Sequence, residues 1–189
     1  MLSDNFMWFP GNGEPLLKGE TSDQYFLQLG AFEVKKFKFD IKGDESTEQK
    51  GPGNSGKAKF GDFTIEKVVD TASIPLYKAL CRATIFPSIM LAVRKAGGSN
   101  LLFLQYIFRY NQITSIDWEG GTGTERPSES VTFSFKAMGV QYIAQSPSGG
   151  KQPGPPQTWS WNIADQGSPS LEVDGLDGAA PAFLKGIPK

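Results

Sequence analysis

The longest strand pattern in the sequence lies at residues 101–117 and reads LLFLQYIFRYNQITSID. Successive side chains of a β-strand point to opposite faces, and in the first half of this stretch both faces are apolar. One face carries Leu102, Leu104, Tyr106 and Phe108, and the other carries Leu101, Phe103 and Ile107. A strand that is apolar on both faces must be covered on both sides. That cover comes either from the same chain or from a neighbouring subunit.

Shorter strand patterns lie on both sides of this stretch. They span residues 5–9, 25–41, 60–69, 89–93, 130–143 and 159–163. One helix is predicted over residues 73–84, with Ser73 as its N-cap and with an apolar stripe made of Leu76, Ala79, Leu80 and Ala83. We expect Leu76, Leu80 and Ala83, rather than a neighbouring subunit, to cover the second face of the long strand. The 22 glycines and 13 prolines favour short strands and many turns. The sequence therefore predicts a mainly β fold, a small antiparallel β-barrel or sandwich with one short α-helix.

The composition excludes several classes of function. The chain has no histidine, which rules out Ser-His-Asp triads, histidine-ligated zinc and histidine acid–base catalysis. Its net charge of −1 lacks the basic excess typical of a nucleic-acid binder. The single cysteine, Cys81, cannot form an internal disulfide and is expected to be a half-buried structural thiol. The composition therefore argues against histidine-dependent catalysis and against a nucleic-acid partner.

The pattern of regular structure suggests two regions of the chain. Residues 42–61 combine glycines with charges of both signs and are predicted to form a loop. From Gly167 onward the strand period is lost, so we predict a barrel domain at 1–166 and a Gly/Pro-rich C-terminal tail at 167–189. The first ten residues carry Asp4 and no basic residue, unlike the start of a secretory signal. Residues 101–108 are too few to span a bilayer, so no stable membrane insertion is expected.

Seven segments, in this order along the chain, resemble the haemolysin-coregulated protein (Hcp) family, the tube protein of bacterial type VI secretion. The resemblance covers roughly residues 5–165, and its most specific segment is VRKAGG at 93–98. The other six segments are KGET at 18–21, EV at 33–34 with FKF at 37–39, FTIEK at 63–67, the helix at 71–83, ERPSESVTF at 125–133 and WSWNI at 159–163.

The resemblance implies a structural role in a secretion machine, and with it a protein that is not an enzyme and has no catalytic, cofactor or metal site. Family members form six-membered rings of β-barrel subunits, and stacked rings make a hollow tube that a contractile sheath propels into a target cell. The expected partners are further copies of the chain, the sheath, spike and baseplate proteins, and effector cargo. The protein would be cytoplasmic during assembly and then secreted without a cleaved signal peptide. The leading hypothesis is a tube subunit, and the alternative is a lumenal carrier or chaperone for effectors.

The same resemblance suggests which residues would carry these roles. Phe37, Phe39 and Ile41 would face the barrel core, while Lys36, Lys38 and Asp40 would line the lumen. Six copies of Lys38 would then form a cationic belt suited to acidic cargo. Two loops are expected to contact neighbouring rings through Lys18, Gly19 and Glu20 and through Gly51, Gly53 and Gly56. A plain solvated strand face and plain surface loops remain the alternatives at both places.

The remaining motifs have ordinary structural interpretations. Trp118, Trp159, Trp161 and Tyr142 could in principle form a carbohydrate platform, but aromatic residues are more often core or interface anchors. The Gly-rich loop lacks the Gly-Lys-Ser/Thr ending of a phosphate cradle. Glu66, Glu119, Glu125 and Glu129 could form a catalytic carboxylate pair, but nothing in the sequence brings any two of them together.

Overall fold

The computed structural model describes residues 3–11, 16–43, 58–96, 102–123, 126–146 and 154–163. The described part is mainly β and contains two helices, α1 at Gln24–Gln28 and α2 at Ser73–Cys81. With five and nine residues, the two described helices are too short to span a bilayer. The strands are β1 Ser3–Trp8, β2 Phe32–Glu33, β3 Lys36–Lys38, β4 Ile41–Lys42, β5 Lys59–Phe60, β6 Phe63–Val68, β7 Ile85–Lys95, β8 Leu102–Glu119, β9 Ser128–Ser134, β10 Ala137–Tyr142 and β11 Gln157–Asn162.

Strand β8, the predicted long strand, organises an antiparallel sheet of nine strands. The main order is β2-β1-β7-β8-β9-β6-β3, while β10 pairs with both β8 and β11. Along one edge, β8 pairs first with β10 and then, beyond Tyr110, with β9. Tyr110 has a positive φ of 53°, which L-residues rarely adopt, at the point where β8 changes partner. The buried Asn111 donates from Nδ2 to the carbonyl oxygens of Phe108 and Phe86, which ties this irregular point to β7.

The predicted barrel is not closed by hydrogen bonds. Within the described residues, β3 and β11 are terminal strands that do not pair with each other. The strand pattern stops at Phe39–Asp40, and the next residues form a separate two-stranded sheet of β4 and β5. Phe60 of β5 stacks with Trp159 and Trp161 of β11 at centroid distances of 6.4 Å. Side-chain packing therefore takes the place of a backbone ladder at this opening.

Helix α2 covers the face of β8 that carries Phe108 and Ile113. Leu76 and Ala79 are buried in the same core cluster as these two residues. The helix ends at Cys81, three residues earlier than predicted, because Ala83 takes a positive φ of 51° and closes the C-terminus. Ala83 is consequently exposed and does not extend the apolar stripe, and Cys81 is exposed rather than half-buried. Ala72 rather than Ser73 occupies the N-cap position.

The second face of β8 is covered by a helix that was not predicted. Residues 24–28 lie in a stretch whose aromatic residues favour a strand, yet they form α1, and its Phe26 is buried against Ile107 and Leu102. The expected cover of this face by α2 was therefore wrong, although the cover does come from the same chain. A β-bulge in β8, opposite Val93 and Arg94, also shifts the alternation of side chains. Leu102 therefore packs in the cluster of Ile107 and not, as predicted, on the face of Tyr106 and Phe108.

Candidate functional site

Strands β3, β6, β9 and residues 112–119 of β8 form what we call the four-stranded wall, in which neighbouring strands are antiparallel. One face of the wall is apolar and contributes Phe63, Ile65, Val131 and Phe133 to the core. The opposite face is polar and includes Lys36, Lys38, Thr64, Glu66, Ser115, Asp117, Ser130 and Thr132. Lys36 and Lys38 thus begin cross-strand rows that extend over four strands.

Lys36 and Lys38 are both exposed on β3 but differ in their surroundings. The Nζ atom of Lys36 lies 2.9 Å from Oε1 of Glu66, the residue opposite it on β6. Lys38 lies opposite Thr64 and has no ion-pair partner among the residues that the structure describes. Of the two lysines, Lys38 therefore presents the unbalanced positive charge on the polar face.

Asp40 lies beyond the end of β3 and belongs to the turn that leads to β4. Its carboxylate lies 2.6 Å from Nζ of Lys42, and the hydrogen bond and charge of Lys42 lower the pKa of Asp40. The turn also holds Gly61, whose N–H donates to the carbonyl of Asp40. Phe37 and Phe39 pack against the core as predicted, but Ile41 is 45% exposed because β4 leaves the sheet.

Hydroxyl side chains make up much of the remaining polar face. The Oγ atoms of Thr64 and Thr132 lie 3.1 Å apart across β6 and β9. Ser130 lies between Glu66 and Asp117 in the neighbouring cross-strand row. The period of two in residues 130–136 indicated which side chains share this face, but the sequence alone did not show that they continue the row of Lys36 and Lys38.

Both edges of the four-stranded wall are open in the described part of the chain. Strand β3 pairs with β6 on one side and with no described strand on the other. Strand β7 begins at Ile85, opposite Gln112, so residues 113–119 of β8 pair with β9 alone among the described strands. An open edge presents unpaired N–H and C=O groups to any strand that can approach it.

The predicted contact loop at Lys18, Gly19 and Glu20 is held firmly against the domain. The N–H of Gly19 donates to the carbonyl of Gly30 at 2.9 Å. A Cβ atom on Gly19 would lie 2.6 Å from Cβ of the buried Phe32, so the chain passes too close for any side chain. Glu20 also lies 3.4 Å from Arg126, in the segment that precedes β9. Gly51, Gly53 and Gly56 lie outside the described residues.

A buried charge cluster connects this loop with α2 and the four-stranded wall. Lys67 is fully buried, and its Nζ atom lies 2.6 Å from Asp70 and 2.8 Å from Glu129. The hydroxyl of Ser73 donates to Glu129 at 2.6 Å. Asp70 accepts from the N–H of Glu20 at 3.1 Å, and the Thr71 hydroxyl donates to the carbonyl of Lys18 at the same distance. Thus β6, β9, α2 and the contact loop are joined through one lysine.

The most specific segment of the sequence resemblance also has a structural role. Arg94 bridges Asp4 of β1 and Asp23, and its guanidinium lies 4.9 Å from the ring centroid of Phe6. Asp23 is the N-cap of α1 and accepts from the N–H groups of Tyr25 and Phe26. Burial raises the pKa of Asp23, but its hydrogen bonds and the charge of Arg94 outweigh that effect and leave the pKa lowered.

The tryptophans do not form one platform. Trp118 lies beside Tyr77 of α2, with ring centroids 6.3 Å apart, and both residues are about half exposed. Trp159 and Trp161 instead stack on each other at 6.1 Å and on Phe60 at the opening of the sheet. The two aromatic groups lie on different elements, so they do not form the single surface that a carbohydrate platform requires.

Comparison with known proteins identifies what this arrangement resembles. Residues 6–142 match the family described as "Type VI secretion system effector, Hcp". "Protein hcp1" from Pseudomonas aeruginosa is 31% identical over 108 residues, which are 57% of this chain and 66% of that protein. The match therefore spans just under two thirds of the length of this curated relative.

Solved structures show the same fold. "Structure of a type six secretion system protein" aligns over 87% of this chain and 98% of the matched chain, with a TM-score of 0.77 and 24% identity. Hcp1 from Salmonella typhimurium aligns over 88% of this chain and 99% of its own, with a TM-score of 0.68 and 24% identity. A type VI secretion system effector from Yersinia pestis aligns over 85% of this chain and all of its own, with a TM-score of 0.63 and 24% identity.

Proposed function

The chain belongs to the Hcp family of type VI secretion system proteins, and from this we propose that it is a tube subunit that assembles into stacked six-membered rings. It is a structural secretion protein of mainly β fold rather than an enzyme. The tube would assemble in the cytoplasm with the sheath, spike and baseplate proteins, and it would be secreted when the tube is expelled.

The observation that carries the proposal is the four-stranded wall with its polar face and its two open edges. Strands β3 and β8 run in opposite directions because three antiparallel pairings separate them. The β8 edge of one copy can therefore pair with the β3 edge of the next copy and continue the antiparallel order. An identical head-to-tail contact closes into a ring when its rotation closes. The apolar face of the wall is occupied by the core, so the polar face would line the lumen.

Electron microscopy of the purified protein tests this assembly. We expect six-membered rings with a central channel. A strict monomer at high protein concentration would overturn the proposal. The predicted contacts between stacked rings through Lys18, Gly19 and Glu20 remain part of the same proposal, and the rigid attachment of this loop to Asp70 and Thr71 supports it.

A role as a carrier of effectors is the second candidate, and the unbalanced charge of Lys38 favours it. Thr64 lies opposite this lysine and Thr132 follows in the same cross-strand row, while the nearby Lys36 is paired with Glu66. Lys42 is the main cause of the lowered pKa of Asp40 and pairs with that carboxylate, and the charge of Lys38 contributes to a smaller extent. The cationic belt would therefore come from Lys38, as the sequence predicts. Acidic surfaces of cargo are the chemistry that such a belt would attract.

We predict that Lys38→Glu changes the effectors that co-purify with the protein while hexameric rings persist, because the substitution reverses the belt's charge without touching the core. Mass spectrometry of proteins retained with the rings measures the change. Lys78→Glu is the matched control, since Lys78 is exposed on α2, on the other side of the wall. An unchanged cargo profile for Lys38→Glu would remove this residue from cargo binding.

A further inference from the structure

An apolar surface is exposed at the opening of the sheet. Ile41 lies directly opposite Phe60 in the pair of β4 and β5, so these two side chains share one face. Phe60 stacks with Trp159 and Trp161 of β11, a strand that pairs with β10 alone among the described strands. Ile41 is 45% exposed and Trp159 is 43% exposed. These four residues, which we call the aromatic patch, form one continuous apolar surface that the described residues leave partly open.

Two lysines border the aromatic patch. Lys42 and Lys59 follow and precede its members in β4 and β5, and they lie directly opposite each other. Both are exposed, and their long side chains can reach a carboxylate beside either face of the two strands. Like charges directly opposite each other in a sheet repel, which favours an acidic neighbour. A partner that fits this place therefore combines apolar side chains with carboxylates.

The chain itself contains a segment of this composition. Residues 171–177 read LEVDGLD and lie in the region that follows Ile163, the last described residue. Three apolar residues and three carboxylates make up this segment apart from one glycine, and no lysine or arginine occurs between Lys151 and Lys185. The segment thus matches both the apolar and the basic character of the aromatic patch and its border.

The segment also begins within reach of the patch. Residues 164–170 separate Ile163 from Leu171 and can span up to about 24 Å when extended. Trp159 lies only about 10 Å back along β11 from the end of that strand at Asn162. Gly167 and Pro169 lie in the connection and favour a change of chain direction. The three solved relatives align over almost their whole length but over no more than 88% of this chain, so their common fold does not require all of it.

We infer that residues 171–177 fold back over the aromatic patch of the same chain. Leu171, Val173 and Leu176 cover the exposed rings, and the carboxylates of the segment lie beside Lys42 and Lys59. Burial of the exposed parts of Ile41 and Trp159 drives the docking, and the charges orient it. This contact goes beyond the proposed function and does not depend on it, because no second copy takes part.

Hydrogen–deuterium exchange of the full-length protein tests the docking. The triple variant Leu171→Ser, Val173→Ser and Leu176→Ser removes the apolar side chains but keeps the acidic residues. We expect backbone exchange in residues 157–162 to become about tenfold faster, because β11 opens more easily once its cover is lost. The matched control is Phe183→Ser, Leu184→Ser and Ile187→Ser, which should leave the exchange of β11 unchanged. Unchanged exchange in residues 104–109 of β8 shows that the fold is intact.

A charge variant and a dilution series complete the test. Glu172→Lys combined with Asp174→Lys should also speed the exchange of β11, since it places like charges beside the two lysines. The inference is overturned if either of these variants exchanges like the wild type, or if the control speeds exchange as much as they do. Protection of β11 that is lost on dilution would mean that a second copy covers the patch, which also overturns it. Because the docking is intramolecular, it can hold in a protein that forms no rings, and rings can form without it.

Discussion

Lys67→Met should cost about 3–5 kcal/mol of folding free energy, because it leaves two carboxylates without their common cation in the core. The side chains of Glu129 and Asp70 are 0% and 6% exposed, so water cannot replace the lost partner. A domain of this size has a total stability of about 5–15 kcal/mol, so the loss is a large fraction of it. The contact loop would also lose order, since Asp70 holds the N–H of Glu20.

Urea denaturation of the purified variant measures this effect. Lys36→Met is the matched control, because it removes a lysine from an ion pair of nearly the same length, 2.9 Å, whose side chains are 65% and 49% exposed. Exposed pairs contribute at most about 1 kcal/mol, so the control should change stability little. Equal losses in the two variants would show that burial does not govern the contribution of Lys67.

The second large effect is expected at Gly19, where substitution should disturb both the core and the contact loop. A Cβ atom there would lie 2.6 Å from Cβ of Phe32 and 3.0 Å from the carbonyl oxygen of Ala31. Neither atom belongs to a flexible chain end, so the backbone at Lys18–Glu20 must move. Gly19→Ala should cost about 1–3 kcal/mol, the usual range for added volume in a packed interior.

Thermal denaturation measures the stability of Gly19→Ala, and electron microscopy measures whether its rings still stack. Gly121→Ala is the control, because a Cβ atom there has no neighbour within 4 Å. We expect the control to stay within about 0.5 kcal/mol of the wild type. A Gly19→Ala protein as stable as that control, with intact stacking, would refute the close packing at this loop.

Sequence periodicity predicted the parts of the fold in which burial alone decides a side chain's direction. Periodicity predicted in this way the two apolar faces of β8, helix α2 and the alternation of buried and exposed residues in β3 and β9. Helix α1 escaped prediction because its aromatic residues favour a strand, whereas the capping by Asp23 and the bridge to Arg94 favour a helix. Periodicity also did not predict that the sheet stays open after β3. Asp40, Lys42 and Gly61 form a local turn there through an ion pair and a backbone hydrogen bond, which leave no periodic signal.

The buried charge cluster was not predicted, although the strand pattern of the sequence indicates it. Lys67 continues the apolar set of Phe63 and Ile65 in β6, and Glu129 precedes Val131 and Phe133 in β9. A charged residue at a core position of each of two strands, with opposite signs, indicates a buried pair. The open edge of β8 could not be predicted in this way, because it depends on where β7 begins relative to β8.

A cryo-electron microscopy map of the purified assembly shows directly whether the chain forms the proposed ring. We expect a six-membered ring in which the polar face of the four-stranded wall, with Lys38 and Thr132, lines the channel, and in which β8 of one copy lies beside β3 of the next. A particle without sixfold rings, or a ring whose channel is lined by another surface of the chain, would contradict it.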